Sequence, residues 1–123
     1  MSKFMIKSID SYNEKSFEMV NGLKKEENNK IIYEYKSKLG DCKISFHDEK
    51  IFIHRENDGI KNVIEVDLNN KTEFLYCGEG FKKNFHILGE KITYKKNILE
   101  FSYKILDNGE EVNNVSITIK EYW

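Results

Sequence analysis

The sequence predicts an all-β fold. It reads as a single antiparallel up-and-down meander of about eight to ten strands, closed into a barrel. That barrel takes the whole chain, residues 1–123, as one domain. Three observations carry this. From Lys30 onward the chain alternates apolar and polar residues, which puts apolar side chains on one face of each strand. Short turn sequences punctuate that alternation. Successive stretches also fit together as hairpins whose apolar faces agree, so that a shared strand presents one face to both neighbours.

Taken in order, Phe4 and Ile6 should enter the core with Phe17 and Met19, around a turn at Tyr12-Asn13-Glu14. The apolar-free run Lys24 to Lys30, KKEENNK, reads as a long exposed turn. A turn at Leu39-Gly40 sets Tyr33 opposite Phe46, Tyr35 opposite Ile44 and Ser37 opposite Cys42. A turn at Asp48-Glu49 then sets Phe46 against Ile51, Ile44 against Ile53 and Cys42 against Arg55. Around Asn69-Asn70-Lys71 an odd-length loop pairs Val66 with Phe74 and Ile64 with Tyr76, with Asn suited to the left-handed position. A turn at Gly89-Glu90 places Phe85 opposite Tyr94 and Ile87 opposite Ile92. The next, at Lys96-Asn97, places Tyr94 opposite Leu99 and Ile92 opposite Phe101. Around Asn108-Gly109 an odd-length loop pairs Tyr103 with Val115, Phe101 with Ile117 and Leu99 with Ile119. The last segment could pass for a helix by composition, but VNNVSITIK is β-branched with period two. A meander of this length resolves as a barrel or a two-sheet sandwich; the barrel is preferred because closure removes exposed edges.

Charge and cysteine content exclude several classes. Basic and acidic counts of 20 and 21 leave a net charge of −1, where a dedicated nucleic-acid binder shows a basic excess. Arg55 is the only Arg, and Arg is the better fork for phosphates and guanine edges. Cys42 and Cys77 form no CxxC and carry neither a disulfide-framework nor a zinc signature. No apolar run has signal-peptide or membrane-span length. The expectation is a cytoplasmic protein with free thiols, without a nucleic-acid or membrane partner.

The stretch from Lys30 on resembles the YwiB-like family of small bacterial calycin-type barrels, whose function is not established. The resemblance rests on IIYEY at Ile31 to Tyr35, KISFHD into KIFIHR, and Arg55 followed closely by Gly59. It continues through NVIEV at Asn62 to Val66, YCGEG, LEFSYKILDNGEE and VSITIKE, and Gly22 sits where the family tends to place an early Gly. Where the family often has Tyr before the second Gly of YCGEG, this chain has Glu79. The resemblance implies a lipocalin-like barrel. It brings no activity, cofactor or catalytic residue with it.

Arg55 is the sharpest candidate for function. The expected register puts it on the apolar face beside Cys42, where a cation must be paired or sit at a wet barrel mouth. One reading makes it the anchor for a carboxylate or phosphate head group, with an aromatic interior taking an acyl or ring body. The other makes it a structural Arg closing one end through a carboxylate or strand-end carbonyls. Tyr33, Tyr35, Tyr76, Tyr94 and Tyr103 complete the candidate ligand-binding set, since hydroxyls inside a barrel need partners. Core packing is the commoner explanation of such an aromatic set. His47, His54 and His86 should face outward and scatter, so no metal site is expected; nor is a cofactor. No histidine shares the face of Cys42, so no nucleophile–base pair is expected and the chain is read as a non-enzyme. Gly78-Glu79-Gly80 lacks the following helix of a phosphate loop and reads as a bend or bulge. The leading reading is a barrel that binds a small, partly apolar and anionic ligand. Its rival is a ligand-free structural or protein-interaction barrel with a filled core.

Overall fold

Ten strands follow one another in the computed structural model, which describes residues 2–38 and 40–122; Met1, Leu39 and Trp123 lie outside the described residues. They are β1 (Ser2–Asp10), β2 (Lys15–Glu27), β3 (Lys30–Ser37), β4 (Gly40–His47), β5 (Lys50–Asn57), β6 (Ile60–Asp67), β7 (Thr72–Gly78), β8 (Phe81–Lys95), β9 (Ile98–Asp107) and β10 (Glu110–Tyr122). Every ladder is antiparallel, in the order β6-β5-β4-β3-β2-β1-β10-β9-β8-β7. Pairing of β1 with β10 rolls this meander into a nearly closed barrel whose single seam lies between β6 and β7. Five of the connections use two residues that both have positive φ: Asn28-Asn29, Asp48-Glu49, Asp58-Gly59, Lys96-Asn97 and Asn108-Gly109. That turn geometry matches the twist of the flanking strands.

Most of the expected pairings stand. Phe46 lies opposite Ile51, Cys42 opposite Arg55, Tyr94 opposite Leu99 and Tyr103 opposite Val115. The last pairing combines a tight Asn108-Gly109 turn with a bulge between Glu111 and Asn113, which together supply the odd residue.

Five expectations are corrected. Across β3 and β4, Tyr33 faces Ile44 and Tyr35 faces Cys42, a slip of two residues from the expected register; the expected turn residue Leu39 is outside the described residues. A slip of two keeps every side chain on its face, so alternation cannot detect it. Gly89-Glu90 is a bulge inside the continuous β8, and Phe85 lies opposite Phe74 rather than Tyr94. The glycine serves a close approach: a Cβ at Gly89 would lie 2.6 Å from the Asp67 carbonyl oxygen at the end of β6. β6 and β7 form no ladder, so Val66 does not pair with Phe74 nor Ile64 with Tyr76. Phe17 and Met19 pair with Lys7 and Met5 on the outer face and are 61% and 50% exposed; Val20 takes the inward place beside Phe4. Finally, KKEENNK is no long turn. β2 runs through it to Glu27, and its alternation carries Lys24 inward.

The middle of the barrel is solid. Phe4, Tyr33, Ile44, Ile51, Ile53, Val66, Leu99, Phe101 and Ile119 are each almost fully buried. Phe4 meets the edge of the Tyr33 ring at 5.3 Å, and Phe101 stacks on Tyr103 at 6.4 Å. Each such side chain contributes about 1.5–3 kcal/mol on burial. The seam is held by side chains standing in for backbone. Asn62 donates through Nδ2 to the Cys77 carbonyl at 3.0 Å and accepts from the Cys77 amide at 2.7 Å, while Thr72 Oγ1 donates to the Glu65 carbonyl at 2.6 Å.

Candidate functional site

The two ends of the barrel differ. Barrel strands are sheared, so inward residues run in oblique rows. One row is Lys24, Tyr33, Ile44, Ile53 and Ile64; the next, nearer the opposite end, is Gly22, Tyr35, Cys42, Arg55 and Asn62. Gly22 is required there, because a Cβ would lie 2.3 Å from the Glu34 carbonyl oxygen and 2.8 Å from the Phe4 ring.

At the Arg55 end the barrel opens into a cavity of about 520 Å³. Arg55, Asn62 and Tyr76 border it, with the β5–β6 turn at Asp58 and the β7–β8 turn at Glu79 forming its rim. Among the described residues, the Arg55 guanidinium has no ion pair or hydrogen bond. Tyr35 and Tyr103 are buried nearby. Burial pushes both phenols above their ordinary pKa; Cys42 adds to this at Tyr35, and the Arg55 charge opposes it at both. Both therefore stay protonated at neutral pH and able to donate. Cys42 Sγ lies 3.6 Å from Ser37 Oγ and 3.7 Å from the Gly40 carbonyl oxygen. Glu18 accepts the Lys38 amide at 3.3 Å.

A larger hollow of about 690 Å³ spans β2 to β6. Most of its lining faces outward, including the cross-strand row Leu23, Glu34, Lys43, His54 and Val63. Partial burial holds the His54 pKa below its ordinary value, with help from Lys43 and Lys30. This hollow is an external groove. Arg55 borders both this groove and the mouth cavity, and its register beside Cys42 and Asn62 sets it on the inner face.

The opposite end is sealed by Lys24, whose side chain is 6% exposed. Its ammonium donates to Tyr94 Oη at 2.8 Å and pairs with Glu26 at 3.1 Å and Glu121 at 3.4 Å. It also stands over the rings of Tyr33, at 5.7 Å, and Tyr94, at 5.2 Å. Burial alone would lower its pKa; the bonds from Tyr94 and Glu26 outweigh this and hold it above the ordinary lysine value. Beside this cluster the Tyr33 hydroxyl is buried with no hydrogen-bond partner among the described residues.

The six candidate residues therefore divide. Arg55, Tyr35, Tyr76 and Tyr103 belong to the open end. Tyr94 is a partner of Lys24, and Tyr33 stands within the field of Lys24, Tyr94, Glu121 and Glu26. Among the described residues a packed middle layer separates the groups, and no aromatic tunnel runs inward from Arg55 to take an acyl chain. Sequence reasoning missed Lys24. Its signal was parity with Val20 and Gly22 on one alternating strand, hidden by the charges around it. Among the described residues, Cys42 and Cys77 are both free thiols, the first buried and the second at the seam. No helix among the described residues is long and apolar enough to cross a membrane.

Fold and ends together define a class: a ten-stranded antiparallel up-and-down barrel, plugged at one end and open at the other. The crystal structure of the ywiB protein from Bacillus subtilis has this fold, with a TM-score of 0.72 over 99% of this chain and 92% of that one, at 15% sequence identity. The likeness expected from the strand motifs is thus a likeness of fold. No family model and no curated protein matches the chain.

Proposed function

We propose that this protein is a non-enzymatic binding barrel of the cytoplasm, lipocalin-like in use, whose open end captures a compact anion through Arg55. One observation carries the reading: a guanidinium on the inner face, without a partner among the described residues, bordering a cavity of about 520 Å³. A cation withdrawn from bulk water is costly unless paired, and Arg offers a carboxylate a two-pronged set of donors. The packed middle layer limits the ligand to what the mouth holds, so a short or single-ring acid fits better than a fatty acid. Free thiols accord with a reducing compartment.

The test is Arg55→Met, with benzoate, short-chain acids and fatty acids followed by thermal shift. The wild type should respond to the compact acids. Loss of a charged hydrogen bond, worth about 1.5–3 kcal/mol, should weaken their binding by roughly ten- to a hundredfold in the variant. The variant should fold with nearly unchanged stability, because no carboxylate among the described residues loses a partner. The same packed interior favours a second reading, a ligand-free structural or interaction barrel. No response of the wild type to any acid, together with a strongly destabilised Arg55→Met, would decide for it.

A further inference from the structure

The open mouth carries both signs of charge, and in a definite order. Arg55 lies within β5, while Asp58 and Glu79 occupy the two turns above it on either side of the seam. All three border the same cavity, and among the described residues neither carboxylate has an ion pair or hydrogen bond. A plain anion gains from Arg55 but must pass two rim carboxylates. A molecule with a carboxylate at its leading end and an ammonium behind it gains from both. The wall between the turns is set in advance, because Asn62 holds the Cys77 main chain through two hydrogen bonds. That wall also presents an aromatic surface: Tyr76 is 38% exposed at the mouth, its ring 5.6 Å from that of Phe81.

We propose that the ligand class of this mouth is the aromatic amino carboxylates. The carboxylate meets Arg55, the ammonium meets Asp58 and Glu79, and the ring lies against Tyr76. This rests on the reading of Arg55 as an anion anchor and narrows it. Asp58 has a φ of 51°, a left-handed conformation that Asn also tolerates, so Asp58→Asn leaves the turn intact.

The test uses three matched probes by titration calorimetry: phenylalanine, 3-phenylpropionate, which lacks the ammonium, and 2-phenylethylamine, which lacks the carboxylate. On the wild type at low salt, phenylalanine should bind about two- to fivefold tighter than 3-phenylpropionate. It should bind roughly tenfold or more tighter than 2-phenylethylamine. In the double variant Asp58→Asn, Glu79→Gln the preference over 3-phenylpropionate should vanish. In Arg55→Met both acids should be lost. If 3-phenylpropionate binds the wild type as tightly as phenylalanine, the zwitterion assignment fails and the anion reading survives. If 2-phenylethylamine matches phenylalanine, or if none of the three binds, both fail. The wild-type comparisons decide this even if a variant does not fold.

Discussion

On the inner face of this barrel Lys24 and Arg55 stand at opposite ends, and their surroundings are opposite too. Lys24 is buried, and its ammonium has as many partners as it has protons: Tyr94, Glu26 and Glu121. Arg55 is partly exposed and, among the described residues, its forked donors meet no acceptor. The same fold thus holds one charge as a completed network and the other as unspent donor capacity. A completed network fixes structure; an open one invites a ligand. The choice of side chain fits each use, since the compact ammonium suits a small closed cage and the planar fork suits an incoming carboxylate.

Substitution at the two cations should separate the ends most sharply. Lys24→Met keeps an apolar stem but takes the ammonium donor from Tyr94 and from the half-buried Glu121, which among the described residues keeps only the Ser2 hydroxyl at 2.7 Å. Breaking a buried charged network by removing one partner costs up to about 3–5 kcal/mol. Because Glu26 is 60% exposed and readily hydrated, about 2–3 kcal/mol is expected here. Arg55→Met should change stability by less than about 0.5 kcal/mol. Urea denaturation of both variants measures this. Equal losses would erase the distinction between a structural and a binding cation.

Alkaline titration sharpens the same contrast. The Lys24 pKa is raised in the folded protein above its unfolded value of about 10.4. A raised pKa means the folded state holds its proton more tightly, so the stabilisation is fully present below about pH 10.4 and declines as pH rises beyond it. The stability gap between the wild type and Lys24→Met should stay constant from about pH 7 to pH 9 and narrow above about pH 10.4. A gap that does not change with alkaline pH would mean that Lys24 acts through packing of its stem rather than through charge.

Much of the barrel was legible because alternation and turn chemistry are local. Asp48-Glu49, Lys96-Asn97 and Asn108-Gly109 each joined strands whose inward faces were plain, and their pairings stand. Other features turned on distant residues. Gly89 looked like a turn because nothing in the neighbouring sequence shows that Asp67, on another strand, crowds it. The β6–β7 seam resembled one more hairpin, yet its strands are joined by Asn62 and Thr72 side chains. Arg55 could be placed on the inner face by parity. Lys24 could not be assigned a role, because Glu121 and Tyr94, which make its burial tolerable, lie on β10 and β8. The candidate tyrosines all share the inward face, but parity says nothing about which end of the barrel each one serves.

Tyr33 marks where the sealed end stops. Its ring is essential to the packed layer, edge-on to Phe4 and under the Lys24 ammonium. Its hydroxyl is buried beside a network that does not include it. A buried, unpaired hydroxyl costs about 1–3 kcal/mol, while the ring contacts survive in phenylalanine. Tyr33→Phe should therefore stabilise the protein, by about 1 kcal/mol after partial relaxation, with an unchanged urea m-value. Tyr94→Phe should act in the opposite sense, because that hydroxyl accepts from Lys24 at 2.8 Å. If Tyr33→Phe instead lowers the denaturation midpoint, the hydroxyl has a partner in solution, such as an ordered water, and the sealed network reaches one residue further into the barrel. If Tyr94→Phe proves neutral, Lys24 is held by its carboxylates alone, and the seal is an ion cluster rather than a hydrogen-bonded plug.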